Sequence, residues 1–230
     1  MRKLAFFLLS LGISLSANAQ MGTDENTNDQ YLTNTRITFK PEEVHYVGSA
    51  YENEDFVKGN VFKNGKVIAN QVGIRYNALR DEMEIKTDIS QSNTSARIMI
   101  KSPDIYVRIL NKMFVYSPQK EGIDKGGYFI SLFEGDKAHL YKKITKEFVA
   151  GMEATTSITR DIPDSYKERE TYYLFDKNLG VFHEFPNSKG GKLSLFKDQK
   201  KAVKEYTKKE KLNLNKEYAL IKLVRFYNTL

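Results

Sequence analysis

The residues best suited to binding chemistry lie between positions 75 and 84 of this chain. Arg75 is followed directly by Tyr76 and Asn77, and Glu82 and Glu84 come a few residues later. A guanidinium can hold a carboxylate or a phosphate through two parallel hydrogen bonds, so these residues predict an anion-binding site if they line a groove. If they do not, Arg75 and Glu84 form an ion pair that fixes the register of two strands. We favour the ion pair, because it needs no ligand.

Two paired strands must position these side chains. Apolar and polar residues alternate over 72–77 and again over 82–85, and a period of two is typical of strands with one buried face. A four-residue loop over 78–81 then sets the cross-strand pairs. The predicted pairs are Tyr76 with Met83 and Ile74 with Ile85 on the core face, and Asn77 with Glu82 and Arg75 with Glu84 on the other face.

The same alternation predicts strands along most of the chain before residue 188. Asn64 and Gly65 lie between short alternating flanks, a pattern typical of a type I′ hairpin turn. Segment 137–148 fits a strand or a helix, and its β-branched and aromatic residues favour a strand. The polar segments 117–127 and 151–170 are predicted as loops. Further strands are expected over 96–100, 105–109 and 128–133, and over 172–175 and 181–185 as a last hairpin.

After residue 188 the pattern becomes helical. Asp198 is suited to cap a helix that runs to about Lys211, and Asn215 to cap a second helix. Two short amphipathic helices cannot bury their apolar stripes alone, so we expect them to dock on the sheet or on each other. The predicted fold is mainly β (α+β). It is an antiparallel curved sheet, sandwich or open barrel over residues 37–188, with a basic two-helix segment, 189–230, packed on it.

Residues 1–19 have the three parts of a secretory signal peptide. Arg2 and Lys3 precede an apolar stretch over 4–15, and Ala17 and Ala19 supply the small residues of a cleavage site. The apolar stretch is too short to cross a bilayer as a helix. We therefore expect an exported protein, periplasmic or extracellular, with residues 20–36 as a flexible leader. Once the signal peptide is removed, no transmembrane segment is expected.

Catalytic and metal sites are not predicted. The chain has no cysteine, which excludes disulfides, thiol catalysis and cysteine-bound metals. Its histidines, His45, His139 and His183, fall on different predicted segments and lack the spacing of metal ligands. Carboxylates cluster at 42–43, 52–55 and 81–84, where solvated acidic turns are the favoured explanation. No nucleophile, phosphate-loop or dinucleotide motif is present, so no cofactor is expected.

The charge of the chain is uneven. Its net charge is +7, and residues 189–230 alone carry 12 Lys or Arg against 4 Asp or Glu. These lysines are candidates for contact with a polyanion or an anionic surface, although a solvated helix face is the favoured alternative. Nucleic acid is not an expected partner, because the stretch lacks arginine and interleaved aromatics and the protein is expected to be exported. The candidate contact residues are Lys200, Lys201, Lys204 and Lys208.

Two regions resemble a known group of sequences. The run from Gly59 to Gly65, followed by Arg75-Tyr76-Asn77 and residues 81–84, resembles uncharacterised exported envelope proteins of Bacteroidota-type bacteria. The ending is similar too: a lysine-rich helix, Lys211-Leu212-Asn213-Leu214, and a final helix closing at residues 226–230. Phe226 stands where a Tyr is more usual. That group has no established activity, so the resemblance implies a location in the bacterial envelope and no catalytic residue.

These observations together predict a non-catalytic binding module. Many aromatic residues fall on predicted strands, and an apolar or anionic ligand in the concavity of the sheet, or a protein partner, would use them. The alternatives are a hydrolase that uses dispersed carboxylates and a histidine, and a structural protein of an envelope complex.

Overall fold

The computed structural model describes residues 31–37, 46–156, 158 and 160–230. Over these residues the chain forms eleven strands in one antiparallel sheet, followed by three helices. The strands are β1 (Leu32–Arg36), β2 (Val57–Lys63), β3 (Lys66–Asn77), β4 (Glu82–Lys86), β5 (Arg97–Met99), β6 (Ile105–Ile109), β7 (Lys112–Ser117), β8 (Gly127–Phe133), β9 (Ala138–Val149), β10 (Ser165–Asp176) and β11 (Val181–Glu184). The helices are α1 (Lys189–Ser194), α2 (Lys200–Lys209) and α3 (Glu217–Tyr227).

The predicted fold class is confirmed. The strand order is β1-β5-β4-β3-β2-β6-β7-β8-β9-β10-β11, so the architecture is a single curved sheet whose two edge strands, β1 and β11, are not paired with each other. Most neighbours in space are neighbours in the chain, because short hairpins join them.

The two predicted hairpins that bracket β3 are confirmed. Asn64 and Gly65 both have positive φ, 49° and 78°, as a type I′ turn between β2 and β3 requires. Between β3 and β4 every predicted pair is present, including Arg75 opposite Glu84. Alternation set this register, because a slip of one residue would move Ile74 and Ile85 out of the core.

The buried apolar side chains of β1 to β9 form a first core cluster, which fills the concave side of the sheet. Tyr76 from β3 reaches the carbonyl of Ile144 on β9 at 3.5 Å, although four strands separate β3 from β9 in the sheet order. The sheet is therefore curled, and its apolar face encloses side chains from β1 to β9. Val61, Ile74, Met83 and Val107 are all 0% exposed. Core side chains occupy the concave side of this part of the sheet, so the ligand site predicted there stays a prediction without support from the geometry.

The second core cluster lies between the helices and β9–β10. It lies on the same face of the sheet as the first cluster. Ile130 of the first cluster is paired with Lys142, and Leu140 comes two residues before Lys142 in the same strand, so these side chains share a face. Leu140, Val203 and Leu223 are fully buried in this cluster. The expected docking of the carboxy-terminal helices is confirmed.

A strap over residues 46–56 runs from the start of β10 to the end of β3. At one end Tyr166 N donates to Val47 O at 2.9 Å, next to the start of β10. Near its middle Glu52 N donates to Tyr76 O at 3.0 Å, at the end of β3. The strap therefore connects two strands that lie far apart in the sheet order.

Four local predictions are wrong. Leu32–Arg36 belongs to β1 and not to a flexible leader, because Leu32 is buried and the strand pairs with β5. Residues 165–170 form the first half of β10, where charged side chains pair with those of β9. Asp198 lies in a short 3-10 turn and does not cap α2, and Lys216 takes the cap position of α3 that was expected for Asn215. A third helix, α1, was not foreseen; Ser188 caps it.

The predicted signal peptide, most of the leader, His45 and the carboxylates at 42–43 lie outside the described residues.

Candidate ligand-binding groove

Arg75, the leading sequence candidate, is enclosed on the convex side of the sheet. Its Nε and Nη2 donate to Glu84 Oε2 at 3.0 and 2.7 Å, and its Nη1 donates to Glu54 O at 3.0 Å. The guanidinium carbon lies 3.6 Å from the ring centroid of Tyr51 and 4.3 Å from that of Phe56. Arg75 is 4% exposed and Glu84 is 2% exposed. The geometry favours the ion-pair explanation, because Glu84 of β4 and the carbonyl of Glu54 already accept the hydrogen bonds of the guanidinium.

The other four candidates do not converge with Arg75 on an open site. Asn77 Nδ2 donates to Glu84 Oε1 at 3.2 Å, and Asn77 Oδ1 accepts from Arg80 N at 3.0 Å. Tyr76 points to the opposite face, into the core, as its pairing with Met83 requires. Glu82 is half-buried and lies on the Arg75 side. A ligand role for these residues stays a prediction without support from the geometry.

An open groove lies elsewhere, on the convex face of β8–β11. Its floor is aromatic, because the strand register brings alternate residues of four neighbouring strands together. The ring centroids of Phe129 and Phe182 are 5.2 Å apart, and those of Phe175 and Phe182 are 4.7 Å apart. The floor residues, called the aromatic floor below, are Phe129, Tyr141, Tyr173, Phe175 and Phe182.

The loop over residues 118–126 covers part of this floor. Phe182 N, on the edge strand β11, donates to Glu121 O at 2.9 Å. Gly122 follows with a φ of 88°, and a Cβ at this position would collide with Phe182 O. Glycine is thus required where the loop meets β11. The loop predicted from the polar composition of 117–127 is present, and it forms one wall of the groove.

Two adjoining cavities lie beneath this loop, and Phe129 lines both. The smaller, about 240 Å³, is lined mainly by aromatic and apolar side chains, among them Tyr141, Phe175 and Phe182, with Lys120 at its side. The larger, about 340 Å³, is polar, and its charged and hydroxyl-bearing lining residues are Asp124, Lys125, Lys143, Thr145, Arg169, Thr171, Tyr173 and Glu184. The groove therefore offers an apolar half and a charged half side by side.

Lys143 lies where the groove meets the core. Its Nζ is 4.8 Å from the ring centroid of Phe129 and 3.3 Å from Asp81 Oδ2. Asp81 Oδ1 in turn accepts from Tyr76 Oη at 2.7 Å and from Tyr128 N at 3.0 Å. Burial lowers the pKa of Lys143, and the Asp81 carboxylate opposes that change. Asp81, which is hydrogen-bonded to the core residue Tyr76, thus forms the ion pair with Lys143 in the groove.

The two described histidines lie on opposite sheet faces. His139 Nδ1 accepts from Gly135 N at 3.2 Å, its ring stacks on Phe175, and burial lowers its pKa. His183 lines a separate cavity of about 320 Å³ near Asp176 and Asp198. Over the residues that the structure describes, no three His, Asp or Glu side chains are grouped in a way that could hold a metal ion.

The four candidate lysines are exposed on α2. This helix packs against α1 and α3, on the side of the sheet opposite the groove. The sequence prediction of a lysine-bearing outer helix face is confirmed as geometry, and its contact with a polyanion stays a prediction.

Sequence reasoning missed the groove residues. They are spread over positions 103–184, and each strand supplies only one to four of them. A usable signal was present in the doubly aromatic strands, where Tyr172-Tyr173 and Phe175 cannot all face one core.

No family model, no curated protein and no solved structure matches this chain. Among the described residues, no helix combines the length and the apolar character needed to cross a membrane.

Proposed function

We propose that this protein is an exported bacterial envelope protein that binds, without catalysis, a ligand joining an apolar or aromatic group to an anionic group. The observation that carries the proposal is the position of Lys143. Its ammonium lies 4.8 Å from the Phe129 ring, at the junction of an aromatic cavity and a charged one. Export and an envelope setting rest on the sequence of residues 1–19 and on the resemblance described above.

The aromatic half of the groove supports binding of a flat or apolar group. Tyr141, Tyr173 and Phe175 are half-buried, so part of each ring is accessible at the cavity wall. Burying such surface against a ligand is favourable at about 25 cal/mol per Å², and ring stacking adds directionality. Small-molecule sites commonly combine such a lining with a few convergent polar groups.

The charged half supports recognition of an anion. Lys125, Lys143 and Arg169 line the larger cavity with two carboxylates, and Lys120 lies 5.0 Å from the Phe175 ring in the smaller one. Arg169 pairs with Glu184 at 3.4 Å between two exposed side chains, a weak interaction that an anionic ligand can replace. Cations therefore outnumber carboxylates around the groove, and partial burial strengthens their attraction for an anion.

The test uses 8-anilinonaphthalene-1-sulfonate, a probe with an aromatic system and a sulfonate. We expect saturable binding by the folded protein, followed by fluorescence titration. Lys143→Gln should weaken this probe by about tenfold, the value of one charge-assisted hydrogen bond. It should leave the neutral N-phenyl-1-naphthylamine within about twofold, because only the sulfonate contacts the ammonium. Tyr173→Ala should weaken both probes.

A matched control lies on the same convex face. Arg108 stands 5.5 Å from the Phe62 ring, which stacks on Tyr106, yet none of the groove cavities includes these residues. Arg108→Gln removes a cation and Phe62→Ala removes an aromatic ring from a cation–aromatic pair outside the groove, and each should leave both titrations unchanged. Equal losses in the control and groove variants, or no saturable binding by the wild type, would refute the proposal. If the probes bind as expected, native mass spectrometry of protein purified from its own host would identify the natural ligand.

A further inference from the structure

Helix α2 presents a stripe of four lysines that the fold does not use. Lys200, Lys201, Lys204 and Lys208 are exposed, and none of the ion pairs formed by the described residues involves them. At about 100° per residue they fall within an arc of about 100° on the helix surface. The acidic residue of this helix, Glu205, lies outside the arc.

The rotation of α2 is fixed by the residues that it buries against the rest of the protein. Val203 is 0% exposed, and Thr207 is 1% exposed with its hydroxyl donating to Val203 O at 2.7 Å. Tyr206 stacks on Phe226 of α3, with ring centroids 4.0 Å apart. The apolar side of α2 is thus occupied by the protein itself, and the lysine stripe must face outward.

We infer that the lysine stripe of α2 docks the protein on a bilayer surface that carries anionic phosphate headgroups. A lysine ammonium is a compact charge that contacts phosphates without demanding a fixed geometry. A row of such charges over a helix of about 15 Å matches a surface that offers many phosphates at once. Since the apolar side of α2 is already buried, the attachment is electrostatic and does not insert the helix into the hydrocarbon.

This docking surface lies opposite the groove. The helices cover the sheet face that carries Leu140, whereas the aromatic floor lies on the other face. A protein held by α2 therefore presents the groove away from the bilayer. The docking inference is independent of the proposed ligand, because the two surfaces share no residue.

The experiment is sedimentation with vesicles of phosphatidylcholine alone and of phosphatidylcholine mixed with phosphatidylglycerol. The protein is purified from cells expressing the full chain, so that any processing of residues 1–19 takes place. Wild type should bind the mixed vesicles and not the neutral ones. Changing the four stripe lysines to Gln should weaken binding to the mixed vesicles by about tenfold or more. Salt at about 1 M should abolish binding of the wild type.

A charge-matched variant separates the stripe from net charge. Lys58, Lys66, Lys167 and Lys177 are exposed elsewhere, and changing all four to Gln removes the same total charge. This variant should keep at least half of the wild-type affinity. Equal losses in the two variants, binding to neutral vesicles at the same strength, or no binding to mixed vesicles would each overturn the inference. Both variants should bind the sulfonate probe normally, so failure here is distinct from failure of the groove proposal.

Discussion

The clusters around Arg75 and around Lys143 contain the same chemical parts and differ in how they are covered. In both, a cation meets a carboxylate and an aromatic ring: Arg75 pairs with Glu84, and Lys143 pairs with Asp81 beside Phe129. The side chains of Arg75 and Glu84 are 5% and 3% exposed, whereas those of Lys143 and Asp81 are 12% and 15% exposed. Composition alone does not separate a buried structural pair from a pair that lines an open groove.

The covering segments explain the difference. The strap over residues 46–56 places Tyr51 and Phe56 on the Arg75 guanidinium and closes it. The loop over residues 118–126 instead leaves two cavities beneath it and meets the edge of the sheet through Glu121. A sealed cluster should therefore respond to mutation through stability, and an open one through binding.

The largest expected effect is on the sealed pair. Glu84→Ala leaves the Arg75 charge buried without its carboxylate, which should lower the free energy of unfolding by about 3–5 kcal/mol. Urea unfolding at neutral pH measures this change. Binding of the sulfonate probe per folded molecule should stay the same. A loss below about 1 kcal/mol would show that the guanidinium is not sealed by its surroundings.

A second effect concerns pH. Burial raises the pKa of both Tyr76 and Tyr128 well above the ordinary value of a phenol. Between about pH 10 and the raised pKa, each phenol is neutral in the folded state and ionised in the unfolded state. Stability is therefore full below pH 10 and falls above it by up to about 1.4 kcal/mol per pH unit for each phenol. Urea unfolding at a series of alkaline pH values tests this, and Tyr76→Phe should reduce the slope.

The hydroxyls of these two tyrosines should differ in how much each contributes to the free energy of unfolding. Tyr76 Oη donates to Asp81 at 2.7 Å, so Tyr76→Phe should cost about 1.5–3 kcal/mol at neutral pH. Tyr128 Oη is buried and has no hydrogen-bond partner among the residues that the structure describes. Tyr128→Phe should thus be neutral or slightly stabilising, because no hydrogen bond is lost and a desolvated hydroxyl is removed. Thermal unfolding of both variants makes the comparison; equal costs would contradict it.

The smallest effect is expected at the rim of the groove. The side chains of Arg169 and Glu184 are 73% and 50% exposed. Glu184→Ala should change the unfolding free energy by less than about 1 kcal/mol, because water screens an exposed pair. The same variant should tighten binding of the sulfonate probe, since it removes a carboxylate from the cavity wall. Weaker binding would indicate that Glu184 itself contacts the ligand.

The alternation of apolar and polar residues predicted the hairpins well, but it did not predict which segments cover the sheet. Alternation around Ile74 and Ile85 fixed the register of β3 and β4, because only one register buries both residues. It did not show that Arg75 is buried on the other face, since the covering strap comes from a distant segment. Residues 165–170 were missed as strand because they lack an apolar face; their charged side chains pair instead across β9 and β10, as Lys146 does with Glu168 at 3.1 Å.

The groove was beyond prediction for a related reason. Its residues come from five strands and a loop, and their meeting depends on strand order and on the registers of four strand pairs. A period-two pattern states which residues share a face of one strand, and it does not state which strands are neighbours. The lysines of α2 were found from sequence because a single helix carries all of them.

The strap has a consequence for how the chain folds. Val47 forms backbone hydrogen bonds with Asp164 and Tyr166 at the start of β10, so this contact joins two segments that lie far apart in the chain. Closing such a long loop is entropically costly before the contact repays it, and topologies rich in such contacts fold in milliseconds to seconds, not microseconds. The strap therefore adds to the long-range contacts of the sheet, and we expect the whole chain to fold in this slower range.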